Sequence, residues 1–368
     1  MRLRKNRSML KIVGALLALV LVAAACGSDD DDSTPGEGVS LTMGRADWDT
    51  GYFQAALVRQ LLQELGYEVS DPANTELGPN LAYLAMAEGD IDFWANSWYP
   101  GHNSWLANEL PDGSDVGDHI SSVGELMVAG GLQGYLVTKS FAEEYNLKTI
   151  DDLNNNPDAL AAYDSKDPSP GNGIADIYGC QESYTCDDII QSQIAFSGWE
   201  NIDQVIAGYD VMFAEAFSKI SDDEPVVLYT WTPSSYITQV RPGDNVMWIG
   251  VEEVVDDSNP LDRDGGEEWD QRPGLATLGT DTCLYIVDGG CQIGWVAADI
   301  LVTARNDLLE NHPVAKRLFE VVKLNVVEVS LQIVAQGDGA SPEDLATQWI
   351  ADNSDLVDGW LEEARAAA

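Results

Sequence analysis

A chain of 368 residues holds one large or two ordinary domains, and 62 acidic against 19 basic residues give it a formal charge of −43. Such a surface excludes nucleic acid as a partner class, because binding it requires Lys and Arg to neutralise phosphates. The acid is spread along the whole chain, which fits a heavily solvated surface rather than an interaction tail.

The first elements are not part of a fold. Arg2, Arg4, Lys5, Arg7 and Lys11 precede an apolar run, Ile12 to Ala25, that ends in small residues at Cys26. A basic start, an apolar middle and a small-residue end read as a secretory signal over residues 1–25. The run is short for a spanning helix, which needs about 20 apolar residues. Ala23-Ala24-Ala25-Cys26 resembles a bacterial lipobox, which implies cleavage before Cys26, acylation of its thiol and an acidic tether over 26–38. An ordinary signal with a chance Cys is the plainer alternative. Loss of the signal removes five of the 19 basic residues and none of the 62 acidic ones.

Val39–Met43 then alternates as a first strand leading to Trp48 and Asp49. Phe53, Leu57, Leu61, Leu62 and Leu65 keep helical spacing, with Asp49 or Thr50 as cap and Gly66 as stop. Tyr67–Val69 reads as a strand, Leu81–Ala87 as an amphipathic helix, and Ile91 with Phe93 as a short buried strand. This alternation argues for an α/β lobe with a largely parallel sheet. Two strands follow, Val123–Val128 and Gly134–Thr138, then short helices at Ser140–Tyr145 and Ile150–Leu153. Pro157–Gly179, rich in Asp, Pro and Gly, reads as loop. Helices at Asp187–Phe196 and Tyr209–Ile220 precede a buried strand at Val226–Tyr229. Asp256–Gly274 reads as a polar surface insertion and Trp295–Thr303 as a return strand. Helices at Pro313–Leu324, Val326–Val334, Pro342–Ala351 and Val357–Arg365 close the chain.

Two stretches share a grammar. GDIDFWANSWYPGH from Gly89 runs from a strand into Trp98, Pro100 and His102; VVLYTWTPSSY from Val226 runs from a strand into Trp231 and Pro233. Ligands of open α/β sheets sit at the carboxyl ends of strands. Two strand-Trp-Pro units far apart in one chain therefore suggest two lobes facing each other across a cleft. Among the Cys residues, Cys180 with Cys186 and Cys283 with Cys291 are close neighbours, and exported chains oxidise such pairs. Neither pair has a nearby His, which argues against a metal site.

With these motifs the chain resembles the glycine betaine/proline betaine-binding proteins of osmoprotectant ABC transporters. The matching blocks are LGYEV from Leu65, GDIDF from Gly89 with SWYPGH from Ser97, GYLVT from Gly134, GNGIADIYGC from Gly171 with Cys186, and YTWTP from Tyr229 with PGDNVMWI from Pro242. The resemblance runs from about Thr42 to the last helix. It implies a two-lobed type II periplasmic-binding-protein fold of the Venus-flytrap kind, with lobe I at 39–135 and 293–368 and lobe II at 136–292. It also implies a betaine-type ligand, an ABC permease as partner, no cofactor, and an extracytoplasmic, lipid-anchored position at the membrane.

The family pattern places three tryptophans around the ammonium head, and backbone amides and a His on the carboxylate. Carried over, Trp98 and Trp231 are two walls and His102 is the carboxylate donor. Where the family has Trp-Gly-Cys, this chain has Tyr184-Thr185-Cys186, so Tyr184 becomes the third wall and the amides of Thr185 and Cys186 the clamp. Trp48 and Asp49, at the first strand's mouth, are further candidates, although a simple betaine site does not need the acid. A trimethylammonium head has diffuse charge and no N–H donors, so aromatic faces are its natural walls.

Each residue also has a plainer reading: Trp98 and Trp231 as core, Tyr184 as loop surface, His102 as a cap or solvated, Asp49 as a helix cap. Choline, carnitine, proline betaine and dimethylsulfoniopropionate stay open as ligands. An exported hydrolase is the competing class; it needs an activated nucleophile, and the chain has neither GxSxG nor HExxH. A sensory lipoprotein with the same ligand is the third.

Overall fold

The structure is a computed structural model and describes residues 34–253 and 275–368. The leader, Cys26 and most of the tether lie outside the described residues, as does the expected insertion at Asp256–Gly274.

Apolar and β-branched runs build a nine-stranded sheet. Its order is Glu76–Leu77, Met43–Ala46, Phe93–Tyr99, Ala298–Arg305, Ile120–Thr138, Val227–Thr232, Ala175–Tyr178 and Ile202–Val205, with Val246–Ile249 also paired to Ile120–Thr138. Pairs toward the two ends are parallel. Those around Ala298–Arg305 and Ile120–Thr138 are antiparallel, so the expected parallel sheet is mixed in its middle. Helix Thr50–Glu64 buries Phe53, Leu57, Leu61 and Leu62. Each such side chain contributes about 1.5–3 kcal/mol over its exposed state. Trp94, Trp248 and Trp295 are among the largest fully buried side chains.

One strand spans both halves of the sheet. The two strands expected at Val123–Val128 and Gly134–Thr138 are a single strand of 19 residues, Ile120–Thr138. Gly124 at φ 67° and Ala129 at φ 47° bend it without ending it. At Gly124 a Cβ would lie 1.9 Å from the Phe319 carbonyl oxygen, so only glycine lets helix Pro313–Val321 approach this closely. From Ile120 to Gly131 the strand pairs with Ala298–Arg305; from Leu132 onward it pairs with Val227–Thr232 and, from Tyr135, also with Val246–Ile249. The change of partner falls between two adjacent residues.

Two further expectations are corrected. Pro157–Gly179 is not loop throughout: it holds helix Pro157–Asp164 and strand Ala175–Tyr178. The helix starts because the Asn156 side chain accepts from the Asp158 and Ala159 amides, with Pro157 in its first turn. The first strand divides: Ser40–Leu41 pairs with Glu68–Val69 in a separate two-stranded sheet, while Met43–Ala46 joins the large one. The Cys283–Cys291 segment forms part of a three-stranded sheet and is bridged by its disulfide. Cys180 and Cys186 are bonded as well.

With 62 acidic against 19 basic residues, most carboxylates have no cation to pair with. Their mutual repulsion opposes the folded state, and salt shortens its range from about 10 Å at 0.1 M to about 3 Å at 1 M. The thermal midpoint of the purified protein should therefore rise by about 5 °C or more between 0.1 and 1 M KCl; a midpoint that falls or stays put in calorimetry contradicts this.

Candidate functional site

Trp98 and Trp231 stand near the ends of Phe93–Tyr99 and Val227–Thr232, and each is followed two residues later by a cis proline, Pro100 or Pro233. The Trp98 ring lies over Gly131, where a Cβ would come within 2.7 Å of it. Its Nε1 donates to Asn96 Oδ1 at 2.9 Å, and Asn96 Nδ2 donates to Gln54 Oε1. Trp231 is in register opposite Gln133, donates its Nε1 to Thr50 Oγ1 at 3.1 Å, and packs 4.4 Å from the Tyr209 ring. The two indoles are 7% and 4% exposed. Tyr184 donates its hydroxyl to the Asp47 carbonyl at 3.1 Å, and its ring meets Trp48 edge-on at 5.2 Å.

These rings wall a cavity of about 460 Å³ including its mouth, within the roughly 300–1,000 Å³ of small-molecule sites. One end is polar. Helix Thr185–Phe196 begins there, after Tyr184 in extended conformation with no side-chain cap. The first amides of a helix have no carbonyl four residues back, and the dipole favours an anion at that end. The Cys180–Cys186 disulfide ties the first turn to the preceding loop, and Thr185 Oγ1 accepts from Trp105 Nε1 at 3.0 Å.

His102 lines the same cavity, 4% exposed, with its ring stacked 5.8 Å from Trp94. The Trp98 backbone N–H donates to His102 Nδ1 at 3.1 Å. Nδ1 is therefore unprotonated and the proton resides on Nε2. Burial pushes the imidazole pKa down to about 3, so His102 is a neutral donor at ordinary pH.

Trp48, Trp98, His102, Tyr184, Thr185, Cys186 and Trp231 thus line one cavity. Asp49 is not among them. Its carboxylate accepts from the Ser235 N–H at 3.2 Å and hydroxyl at 2.8 Å, and it borders a neighbouring cavity with Asp47 and Asp210. It makes no side-chain cap to helix Thr50–Glu64. Burial pushes its carboxyl above the usual range. Five lining residues were not among the sequence candidates: Pro79, Gly101, Gln133, Ile189 and Tyr229. Tyr229 was accessible to sequence reading, since it lies two residues before Trp231 and so shares its face of the strand.

The cavity is closed by bonds from side to side. Thr50 Oγ1 donates to the Pro233 carbonyl at 2.6 Å while accepting from Trp231, Ser235 holds Asp49, Tyr184 holds the Asp47 carbonyl, and Trp105 holds Thr185. All join residues 47–105 to residues 184–235.

The family model "OpuAC: Substrate binding domain of ABC-type glycine betaine transport system" matches residues 39–352. A protein of Dickeya dadantii (strain 3937) named glycine betaine-binding periplasmic protein OusX is 30% identical over 359 residues, 96% of this chain and 98% of that one. Among solved structures, lactococcal OpuAC in its closed form with glycine betaine aligns at TM-score 0.60 and 15% identity, over 88% of this chain and 99% of that one. An ABC-transporter choline-binding protein in complex with choline aligns at TM-score 0.62 and 17% identity, over 89% and 96%. These two establish the two-lobed binding-protein fold. Matched over most of its length, the chain belongs to the family of substrate-binding domains of ABC-type glycine betaine transport systems.

Proposed function

We propose that this chain captures glycine betaine, or a close carboxylate-bearing relative, and delivers it to an ABC permease without transforming it. The observation that carries this reading is a cavity with indole and phenol walls and a helix N-terminus beside a neutral histidine at its polar end. Trp98, Trp231 and Tyr184 hold the ammonium head, with Trp48 supporting Tyr184; His102 Nε2 and the Thr185 and Cys186 amides hold the carboxylate. Lobe I at 39–135 and 293–368 and lobe II at 136–292 fit the change of strand partner near Gly131 and Leu132. The sequence at Cys26 supports a lipid anchor on the extracytoplasmic face, and no helix among the described residues is long and apolar enough to cross a membrane.

Three desolvated aromatic faces supply roughly 3–6 kcal/mol. A micromolar Kd needs about 8 kcal/mol beyond association costs, so the rings alone fall short. Hydrogen bonds to a carboxylate, about 1.5–3 kcal/mol each, close the difference. Choline has no carboxylate and leaves the helix start and His102 without a charged acceptor, which favours a betaine.

Isothermal titration of the mature protein with glycine betaine should give saturable binding, lost beyond detection in Trp231→Ala and tightened in Tyr184→Trp; full affinity in Trp231→Ala removes the assignment of the walls. Thr50→Val strips Trp231 Nε1 of its acceptor and Pro233 of a donor. It should weaken betaine about tenfold, through faster release, and stopped-flow dissociation checks this.

Since His102 titrates near 3 in the fold and near 6.5 when unfolded, betaine affinity should be flat between pH 5 and 8 as far as this residue is concerned. For stability, the unfolded chain binds a proton below 6.5 that the fold refuses. The contribution of neutral His102 is full above that pH and is lost as pH falls toward 3. Denaturant titrations should accordingly show a shallower acid loss in His102→Gln than in the parent, and equal slopes rule the mechanism out.

A further inference from the structure

Gln133 sits on the long strand between Leu132 and Gly134, in register opposite Trp231, 8% exposed and on the cavity wall. A carboxamide removed from bulk water is costly unless its acceptor and its donors find partners. The acceptor is used: Gln133 Oε1 receives the Tyr229 hydroxyl at 2.7 Å. Tyr229 is itself held in the sheet opposite Tyr135, and its carbonyl accepts from the Tyr209 hydroxyl at 2.6 Å. This fixes which end of the amide is which, and leaves the two N–H donors of Nε2 without a protein acceptor among the described residues. Nε2 is not sealed in the core, and the cavity is the space its side chain borders.

Gln193, on helix Thr185–Phe196 and paired with Tyr135 two strand positions along from Gln133, shows the contrast. Its Oε1 accepts from the Tyr135 hydroxyl at 2.6 Å and its Nε2 donates to the Gly294 carbonyl at 3.4 Å, so both ends are bonded within the protein. The same tyrosine–glutamine pairing thus occurs twice, once complete and once open toward the cavity.

We propose that Gln133 is a ligand-contacting donor that selects for an acceptor-bearing, carboxylate-type ligand at this site; the inference rests on the functional reading above. An onium head offers an N–H group nothing to bond, whereas a carboxylate oxygen completes it with a charge-assisted bond that a neutral hydroxyl matches only weakly. Tyr229 is the positioning residue, since its hydroxyl keeps the amide's oxygen turned away and its nitrogen forward.

The test compares glycine betaine and choline by calorimetric titration, with choline measured by competition, on the parent, on Gln133→Met and on the double variant Gln133→Met, Tyr229→Phe. The double variant removes both partners of the internal bond, so no buried hydroxyl is orphaned, and thermal melts check that each chain folds. Betaine should weaken by about 10–100-fold in both variants while choline stays within about threefold. An equal loss for both ligands, or unchanged betaine affinity, overturns the role of Gln133 while leaving betaine binding by the parent intact. A parent chain that binds no betaine overturns the functional reading itself, and the Gln133 role with it.

Discussion

A methylated onium ion presents positive charge with no hydrogen to share, so a protein can hold it only against electron-rich faces. In the proposed function that requirement accounts for how three aromatic walls of this cavity, Trp98, Trp231 and Tyr184, are anchored. Each has a polar edge that must be satisfied elsewhere if its face is to stay open: Trp98 Nε1 goes to Asn96, Trp231 Nε1 to Thr50, and the Tyr184 hydroxyl to the Asp47 carbonyl. The edges are tied outward and the faces are left to the cavity. Asn96 and Thr50 are in turn fixed, by Gln54 and by the Pro233 carbonyl. A layer of buried amide and hydroxyl groups thus orients the rings, and its polarity would be a liability in an ordinary core.

The polar end follows a matching logic. An imidazolium beside an ammonium ligand would repel it, and burial keeps His102 neutral. The Trp98 backbone assigns its proton to Nε2, so one residue both lines the ring wall and sets the tautomer of its neighbour. A helix start adds partial positive charge without a formal cation. In the proposed mode of binding, the arrangement supplies directional donors for an anion while placing no full positive charge near the ammonium head.

The positions of Trp98 and Trp231 were legible in the sequence, because strand-Trp-Pro units announce themselves locally; Tyr184, Thr185 and Cys186 entered only through the family resemblance. Seven of the eight candidate positions line one cavity. Asp49 does not, since its proximity to Trp48 in sequence says nothing about which side of the indole its carboxylate reaches; Ser235, 186 residues away, takes it. Gln133 was hidden for a related reason. It is an unremarked polar residue in GLQGYLVT until strand pairing sets it against Trp231. The same stretch misled about the fold: VAGGLQG has turn-like composition, but its pairing with Ala298 at Gly131 and with Val227–Thr232 from Leu132 carries the strand through. Asn156 and Pro157 did carry a helix-start signal, which the acidic, glycine-rich sequence after them obscured.

The threading of one continuous strand through both halves has a mechanical meaning. A swing of one half against the other would be absorbed in part where that strand trades neighbours, at Gly131 and Leu132, and in part where the chain returns ahead of Ala298–Arg305. Gly131 is also the surface on which the Trp98 indole rests. The floor of the cavity therefore sits beside the axle. Opening would break the bonds that join the two sides, Thr50 to the Pro233 carbonyl and Asp49 to Ser235 among them, while the Trp98 indole keeps its seat on Gly131.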